Sequence, residues 1–237
     1  MNLEIAIHCY NYQRRLCWML SSILQQRGDI PDILVSISYT LDNGDPRTEE
    51  VIEFFQDKSL VIQPLYISPD KVHNRSVPRN IRAKETEADW MLYADSDLVY
   101  HPDFFADLKV KLESDKYKDE HKVMGADRHS LDIPFCIKYF EEDTREYPCV
   151  IENVAKIPED WPKKWVSGRR IAAGYFQLAN VAEIKARGGK YSGRQRDRWR
   201  RTGSDRQFRC HMGGRRGIDV LPMYHLNHDR GGPEIQR

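Results

Sequence analysis

The strongest constraint on this chain is the alternation of strand-like and helix-like segments that runs from its start to Ala126. Leu3–Cys9 is a short apolar run that predicts a strand. Leu16, Met19, Leu20, Ile23 and Leu24 then recur at helical spacing, with Asn11 placed to cap them. Ile33, Val35, Ile37 and Tyr39 alternate along a second strand. Thr48 is placed to cap a helix carrying Val51, Ile52, Phe54 and Phe55, and Leu60–Ile67 predicts a third strand. Pro78 suits the first turn of a helix running to about Ala88. Trp90–Ala94 predicts a fourth strand that ends directly on Asp95. Pro102 opens another helix through Leu112, and Val123–Ala126 reads as a further strand. Repeated β-α-β order requires crossover connections, so the expected fold is α/β, a mostly parallel sheet flanked by helices. Such sheets bind ligands beyond the carboxyl ends of their strands. Tyr10-Asn11, Asp42 and Asp95-Ser96-Asp97 all fall at such ends.

The second half is less regular. Glu141–Asp160 is acidic, contains Pro148 and Pro158, and reads as a loop-rich connection. Ile171–Leu178 predicts a strand, and so does Val220–Tyr224. Gly188-Gly189 and the Arg-rich stretch Arg194–Arg201 read as loop. The net charge of +1 hides an asymmetry, because Lys185–Arg237 carries 14 Lys/Arg against 5 Asp/Glu. A basic C-terminal quarter suits a phosphorylated ligand, a nucleic acid or an anionic surface, and equally a solvated face.

Several function classes are excluded by what the sequence lacks. Five scattered cysteines without a Cys-x-x-Cys pair argue against a disulfide framework or a structural zinc site. No apolar run approaches the ~18–20 residues that span a bilayer, and the N-terminus does not read as a signal peptide. The expectation is a cytoplasmic protein with no transmembrane segment. P-loop and Gly-x-Gly-x-x-Gly signatures are missing, and no glycine-rich loop of the nucleotidyltransferase kind follows the first strand.

Asp95-Ser96-Asp97 carries the most chemistry. Two carboxylates one residue apart, at a turn after a strand, can approach the same hard cation. Mg²⁺ and Mn²⁺ favour oxygen ligands and often combine one or two carboxylates with substrate phosphates. A cation across a diphosphate neutralises the charge that develops on a departing nucleoside diphosphate. An isolated Asp-x-Asp is more often a capping or solvated pair; its position after Trp90–Ala94 is what gives it weight.

The run Val77-Pro78-Arg79-Asn80-Ile81-Arg82-Ala83-Lys84, followed by Ala88-Asp89-Trp90-Met91-Leu92-Tyr93-Ala94-Asp95-Ser96-Asp97, resembles the family 2 glycosyltransferases of GT-A fold. Ala6–Tyr12 looks like that family's first strand and Tyr-Asn turn. Asp42-Asn43-Gly44-Asp45 through Thr48 is similar to its Asp-Asp-Gly-Ser-x-Asp loop, shorter by about one residue. The resemblance implies a single GT-A catalytic domain over 1–237, with a nucleotide-binding half over 1–100 and a metal and acceptor half over 101–237. It implies that Tyr10, Asn11 and Asp42 line a nucleoside pocket and that Arg79 contacts the donor. Asp95 and Ser96 would sit at the donor, with Asp95 near ribose or metal, and Asp97 would bind Mn²⁺ or Mg²⁺. Read without it, Tyr10 is equally core packing, Asp42 a turn former beside Asn43-Gly44, and Arg79 a surface helix residue.

The same resemblance assigns the C-terminal half of the site. Gly174-Tyr175-Phe176-Gln177 is similar to the stretch that floors the donor-sugar and acceptor site, or is ordinary core. An inverting transferase needs a base to deprotonate the attacking hydroxyl. In Gly203-Ser204-Asp205-Arg206 that base would be Asp205, a residue that also suits a helix cap. His225 is the favoured further metal ligand in Met223–Asp229, with His228 beside it. The expected activity is metal-dependent transfer of a hexosyl or pentosyl group from a nucleotide-sugar donor, UDP-sugar favoured. The acceptor stays open among a glycan, a lipid-linked glycan and a nucleic acid reached through the basic segment. A non-catalytic anion-binding or nucleic-acid-binding module on a degenerate transferase fold is the competing reading.

Overall fold

A computed structural model describes residues 1–41, 47–131, 136, 145–152, 154, 163–166 (backbone only), 175–191, 208, 212 and 214–226. The alternation in the sequence is realised as β1 (Asn2–His8), α1 (Gln13–Leu24), β2 (Asp32–Tyr39), α2 (Thr48–Asp57), β3 (Ile62–Tyr66), α3 (Ser76–Glu85) and β4 (Trp90–Asp95). Then come β5 (Leu98–Tyr100), α4 (Phe104–Glu113), β6 (Val123–Gly125), β7 (Arg128–Leu131) and β8 (Lys163–Val166). The remainder is β9 (Phe176–Asn180), α5 (Val181–Ala186), β10 (Arg215–Gly217) and β11 (Met223–His225).

Seven strands form one sheet in the order β10-β6-β9-β4-β1-β2-β3. The pairs β1–β2, β2–β3, β1–β4 and β10–β6 are parallel, and β9 runs antiparallel to both β4 and β6. From β1 the chain steps outward to β2 and β3, then returns through α3 to β4 on the other side of β1. The direction of winding therefore reverses between β1 and β4, where α/β sheets bind ligands. Register makes the two strand ends level: His8 is the partner of Ser38 on one side and of Asp95 on the other.

Both faces of the central strands are covered. Leu3, Ile5, Ile7, Val35, Ile37 and Leu92 are buried with the apolar stripe of α1, Leu16, Met19, Leu20 and Ile23. Each such side chain contributes about 1.5–3 kcal/mol by leaving water. On the opposite face Ala6, Met91 and Tyr93 join Ala83 of α3, Ile184 of α5, Tyr191, Phe208 and Met212 in a second cluster. Among the described residues, the Glu4–Arg82 ion pair lies fully inside. Glu4 on β1 accepts from Arg82 Nε at 2.6 Å and Nη2 at 3.0 Å, and from Ser36 Oγ at 2.6 Å, which ties α3 to the sheet.

A second sheet, β5-β11-β7-β8, was not legible in the sequence apart from β11. Its strands are three or four residues long, too short to show a period. Boundaries shift elsewhere. Tyr12, not Asn11, precedes α1; Asn11 has φ of 58°, a left-handed backbone that asparagine tolerates. Thr48 is the first residue of α2 rather than its cap, and α3 ends at Glu85. Of the strand expected over Ile171–Leu178, residues 171–174 lie outside the described residues, and from Phe176 the described part forms β9, which runs on to Asn180. Gly188 and Gly189, expected as loop, close α5: both have positive φ, and their N–H groups donate to the carbonyls of Lys185 and Ile184.

Among the described residues, Cys9, Cys17, Cys136 and Cys149 are thiols outside any disulfide. No described helix is long and apolar enough to cross a membrane.

Candidate active site

The site is built at the level ends of β1, β2 and β4. Asp95 closes β4 and keeps part of its side chain in solvent. Its N–H donates to the Tyr175 carbonyl at 3.3 Å, which places the start of β9 beside it. Arg75, the residue before α3, donates from Nη1 to Asp95 Oδ1 at 2.9 Å. Arg79 Nη2 stands 4.0 Å from the same oxygen. The two arginines lie four residues apart, one helical turn, so both reach one carboxylate.

Their surroundings differ. The Arg79 side chain is only 5% exposed and that of Arg75 is 52% exposed. Arg79 Nη1 donates to the Tyr191 hydroxyl, which donates in turn to Gln177 Oε1 at 2.5 Å. The guanidinium also lies over the rings of Tyr191, at 4.9 Å, and Tyr93, at 5.5 Å. Asn80 Oδ1 accepts from the Tyr191 N–H at 2.8 Å, and the Tyr191 ring stacks on Phe208 at 4.5 Å. Arg79 is therefore a fixed positive charge set behind Asp95, held by a residue more than a hundred positions later in the chain.

Asp97 is almost fully buried. The short strand β5 begins directly after it and pairs antiparallel with β11, with Leu98 opposite His225. The Leu226 N–H donates to the Asp97 carbonyl at 2.9 Å, so the end of β11 is stitched to the Asp-x-Asp turn. That pairing puts His225 Nε2 3.2 Å from Asp97 Oδ2. Two adjacent ligands of an octahedral ion at ~2.1 Å stand about 3.0 Å apart, so these two atoms fit one edge of such a shell. Among the described residues no group of three His, Cys, Asp or Glu converges on one point. The remaining positions would then fall to phosphate and water oxygens, which is how Mg²⁺ is commonly held.

At the end of β1, His8 Nδ1 and Ser38 Oγ are 2.9 Å apart. Burial, then the charges of Arg75 and Arg79, push the His8 imidazole down to about 3, against a raising contact with the Val72 backbone. His8 is thus neutral at physiological pH. Tyr10 presents its ring edge-on to His73 with centroids 5.0 Å apart. Asn11 Oδ1 is buried and accepts no hydrogen bond from the described residues.

The structure brings Tyr10, Asn11, Arg79, Asp95, Ser96, Asp97 and His225 to the carboxyl edge of the main sheet or to the turn after it. Asp42, Gly174, Asp205 and His228 lie outside the described residues. Sequence reasoning missed Arg75, His8 and Tyr191. The one available signal was the helical spacing of Arg75 and Arg79; nothing local to Tyr191 points to Arg79.

The doubly wound sheet, with paired acids after the strand at its reversal point, is of the GT-A type. The family model of glycosyl transferase family 2 matches residues 4–120. Solved structures agree on the fold. The Staphylococcus aureus TarS 1–349 structure in complex with UDP superposes with a TM-score of 0.62 at 15% identity, over 97% of this chain and 61% of that one. The TarS 1–349 complex with UDP-GlcNAc gives 0.57 at 14% identity, over 98% and 60%. A longer TarS structure gives 0.60 at 16%, over 95% and 36%. The chain thus spans between about a third and three fifths of the structures it matches. No curated protein matches the sequence. Residues 4–120 thus match glycosyl transferase family 2, and the chain has the GT-A fold of the structures it superposes on.

Proposed function

We propose that this protein transfers a sugar from a nucleoside-diphosphate sugar, a UDP-sugar being favoured, to an acceptor hydroxyl with inversion, and depends on Mn²⁺ or Mg²⁺. The observation that carries the reading is the placement of Asp97 and His225 at 3.2 Å, one turn from the Asp95–Arg75 pair, at the reversal point of the sheet. Asp97 Oδ2 and His225 Nε2 would hold the cation, with Asp95 beside them. A bound cation supplies neutralisation of the departing diphosphate. Tyr10, Asn11 and Asp42 would hold the nucleoside, and the acceptor of Asn11 is ready for a base or ribose donor. Ser96 and Gly174 would complete the donor contacts. Arg79 sets the charge and position of Asp95 from behind.

Asp205 would take the proton of the acceptor hydroxyl. Support for it is the carboxylate at the start of a helix-like run, and the anchoring of Phe208, three positions later, on Tyr191 and Tyr93. Phe208 itself belongs to the cluster of Tyr191 and Tyr93 that encloses Arg79. TarS is solved with UDP and with UDP-GlcNAc, which supports a UDP-sugar donor here. The acceptor class rests on the charge of the segment after Lys185, which suits an anionic acceptor.

A donor screen by melting temperature tests the reading. At a free concentration of 100 Kd a nucleotide sugar stabilises by about 2.7 kcal/mol, roughly 5–11 °C for a chain of this size. The expected result is a shift for one nucleotide-sugar class in Mn²⁺ and a smaller one in EDTA. No shift with any nucleotide sugar would refute it.

A further inference from the structure

We propose that Arg75 is a donor-binding residue that rests on Asp95 and transfers its guanidinium to the diphosphate when a nucleotide sugar enters. The proposal rests on the transferase reading. Two arginines address Asp95 Oδ1, and they are not equivalent. Arg79 is enclosed by Tyr191 and Tyr93 and hydrogen-bonded to the Tyr191 hydroxyl, so it cannot swing outward without breaking the second core cluster. Arg75 is half exposed, and Asp95 Oδ1, at 2.9 Å, is the acceptor of its hydrogen bond.

A pair as open as this one contributes little to stability, so breaking it is easy. Its value lies in placement. The guanidinium is kept half in solvent beside Asp95, at the carboxyl end of β4, so that side-chain rotation alone would carry it to a neighbouring anion. Its planar fork matches phosphate oxygens in pairs, which a lysine cannot do. The exchange also answers a charge problem. Asp95 and Asp97 alone would repel a diphosphate, whereas Arg75 and Arg79 together balance them before any ligand arrives. With Arg79 holding Asp95 from behind, Arg75 can leave without stranding the carboxylate.

The test is calorimetric titration of UDP, in Mn²⁺, into the wild-type chain, Arg75→Gln and Arg75→Lys, with uridine binding followed in parallel by ligand-observed NMR. Loss of a charge-assisted contact to phosphate predicts that Arg75→Gln weakens UDP roughly ten- to a hundred-fold. Uridine should bind within about twofold of wild type, the melting temperature should be unchanged, and Arg75→Lys should recover part of the loss. UDP affinity within about twofold of wild type in Arg75→Gln would overturn the proposal. So would an equal weakening of UDP and uridine, which would place the effect on folding or on the nucleoside. A wild-type chain that binds no UDP in Mn²⁺ would instead overturn the UDP-sugar reading beneath it.

Discussion

Substituting Glu4 by Ala probes how the site is held rather than the site itself. Glu4 is fully buried on β1 and accepts three hydrogen bonds, two from the guanidinium of Arg82 and one from Ser36. Without the carboxylate, Arg82 keeps one acid, Glu85 at 3.3 Å, whose own side chain is largely in water. A buried cation left without its partner costs about 3–5 kcal/mol, roughly 6–20 °C in melting temperature for a chain of this length. Urea denaturation followed by circular dichroism reads the loss directly. The double variant Glu4→Leu/Arg82→Met removes both charges and should recover most of it, because the pair is required only as a pair. The same turn of α3 carries Arg79, so Glu4→Ala should also weaken nucleotide binding. A single variant within about 1 kcal/mol of wild type would show that Glu4 does not anchor α3.

Two tyrosines that touch each other should respond in opposite ways. The buried Tyr93 hydroxyl has no hydrogen-bond partner among the described residues, so Tyr93→Phe should be neutral or stabilising by up to about 1 kcal/mol in urea titration. The Tyr191 hydroxyl joins Arg79 to Gln177, so Tyr191→Phe should lose about 1–3 kcal/mol and weaken nucleotide binding measured by calorimetry. His8 supplies a pH dependence. Its folded value of about 3 lies below the ordinary 6.5, so between these the unfolded chain binds the extra proton and stability falls as pH drops from 6.5 towards 3. His8→Asn should flatten that part of the stability–pH curve, and the His8 ring signals in NMR should stay those of a neutral imidazole down to pH ~4.

The first half of the fold was legible because each element exceeds one period of its own pattern. Ile33–Tyr39 shows several alternations and α1 three turns of apolar spacing, and Trp90–Ala94 ran into Asp95 as expected. What the sequence hid lies in pairings between distant short segments. Nothing near Leu98 signals that it will lie opposite His225, yet that pairing brings the histidine to Asp97. Arg79 was singled out and Arg75 was not, although Arg75 makes the closer contact with Asp95. Burial separates the two, and burial depends on Tyr191, Phe208 and Tyr93 arriving from three separate parts of the chain.

The central claim is that Asp97 and His225 hold a cation that works on a nucleotide-sugar diphosphate. It is tested most directly by release of UDP from UDP-sugars in Mn²⁺, compared with EDTA and with Asp97→Ala and His225→Ala chains of intact circular dichroism. The account predicts metal-dependent release by the wild-type chain, lost in EDTA, reduced by at least about a hundredfold in Asp97→Ala, and reduced with a raised Mn²⁺ requirement in His225→Ala. Full metal-dependent release by Asp97→Ala, or release indifferent to EDTA, would contradict it.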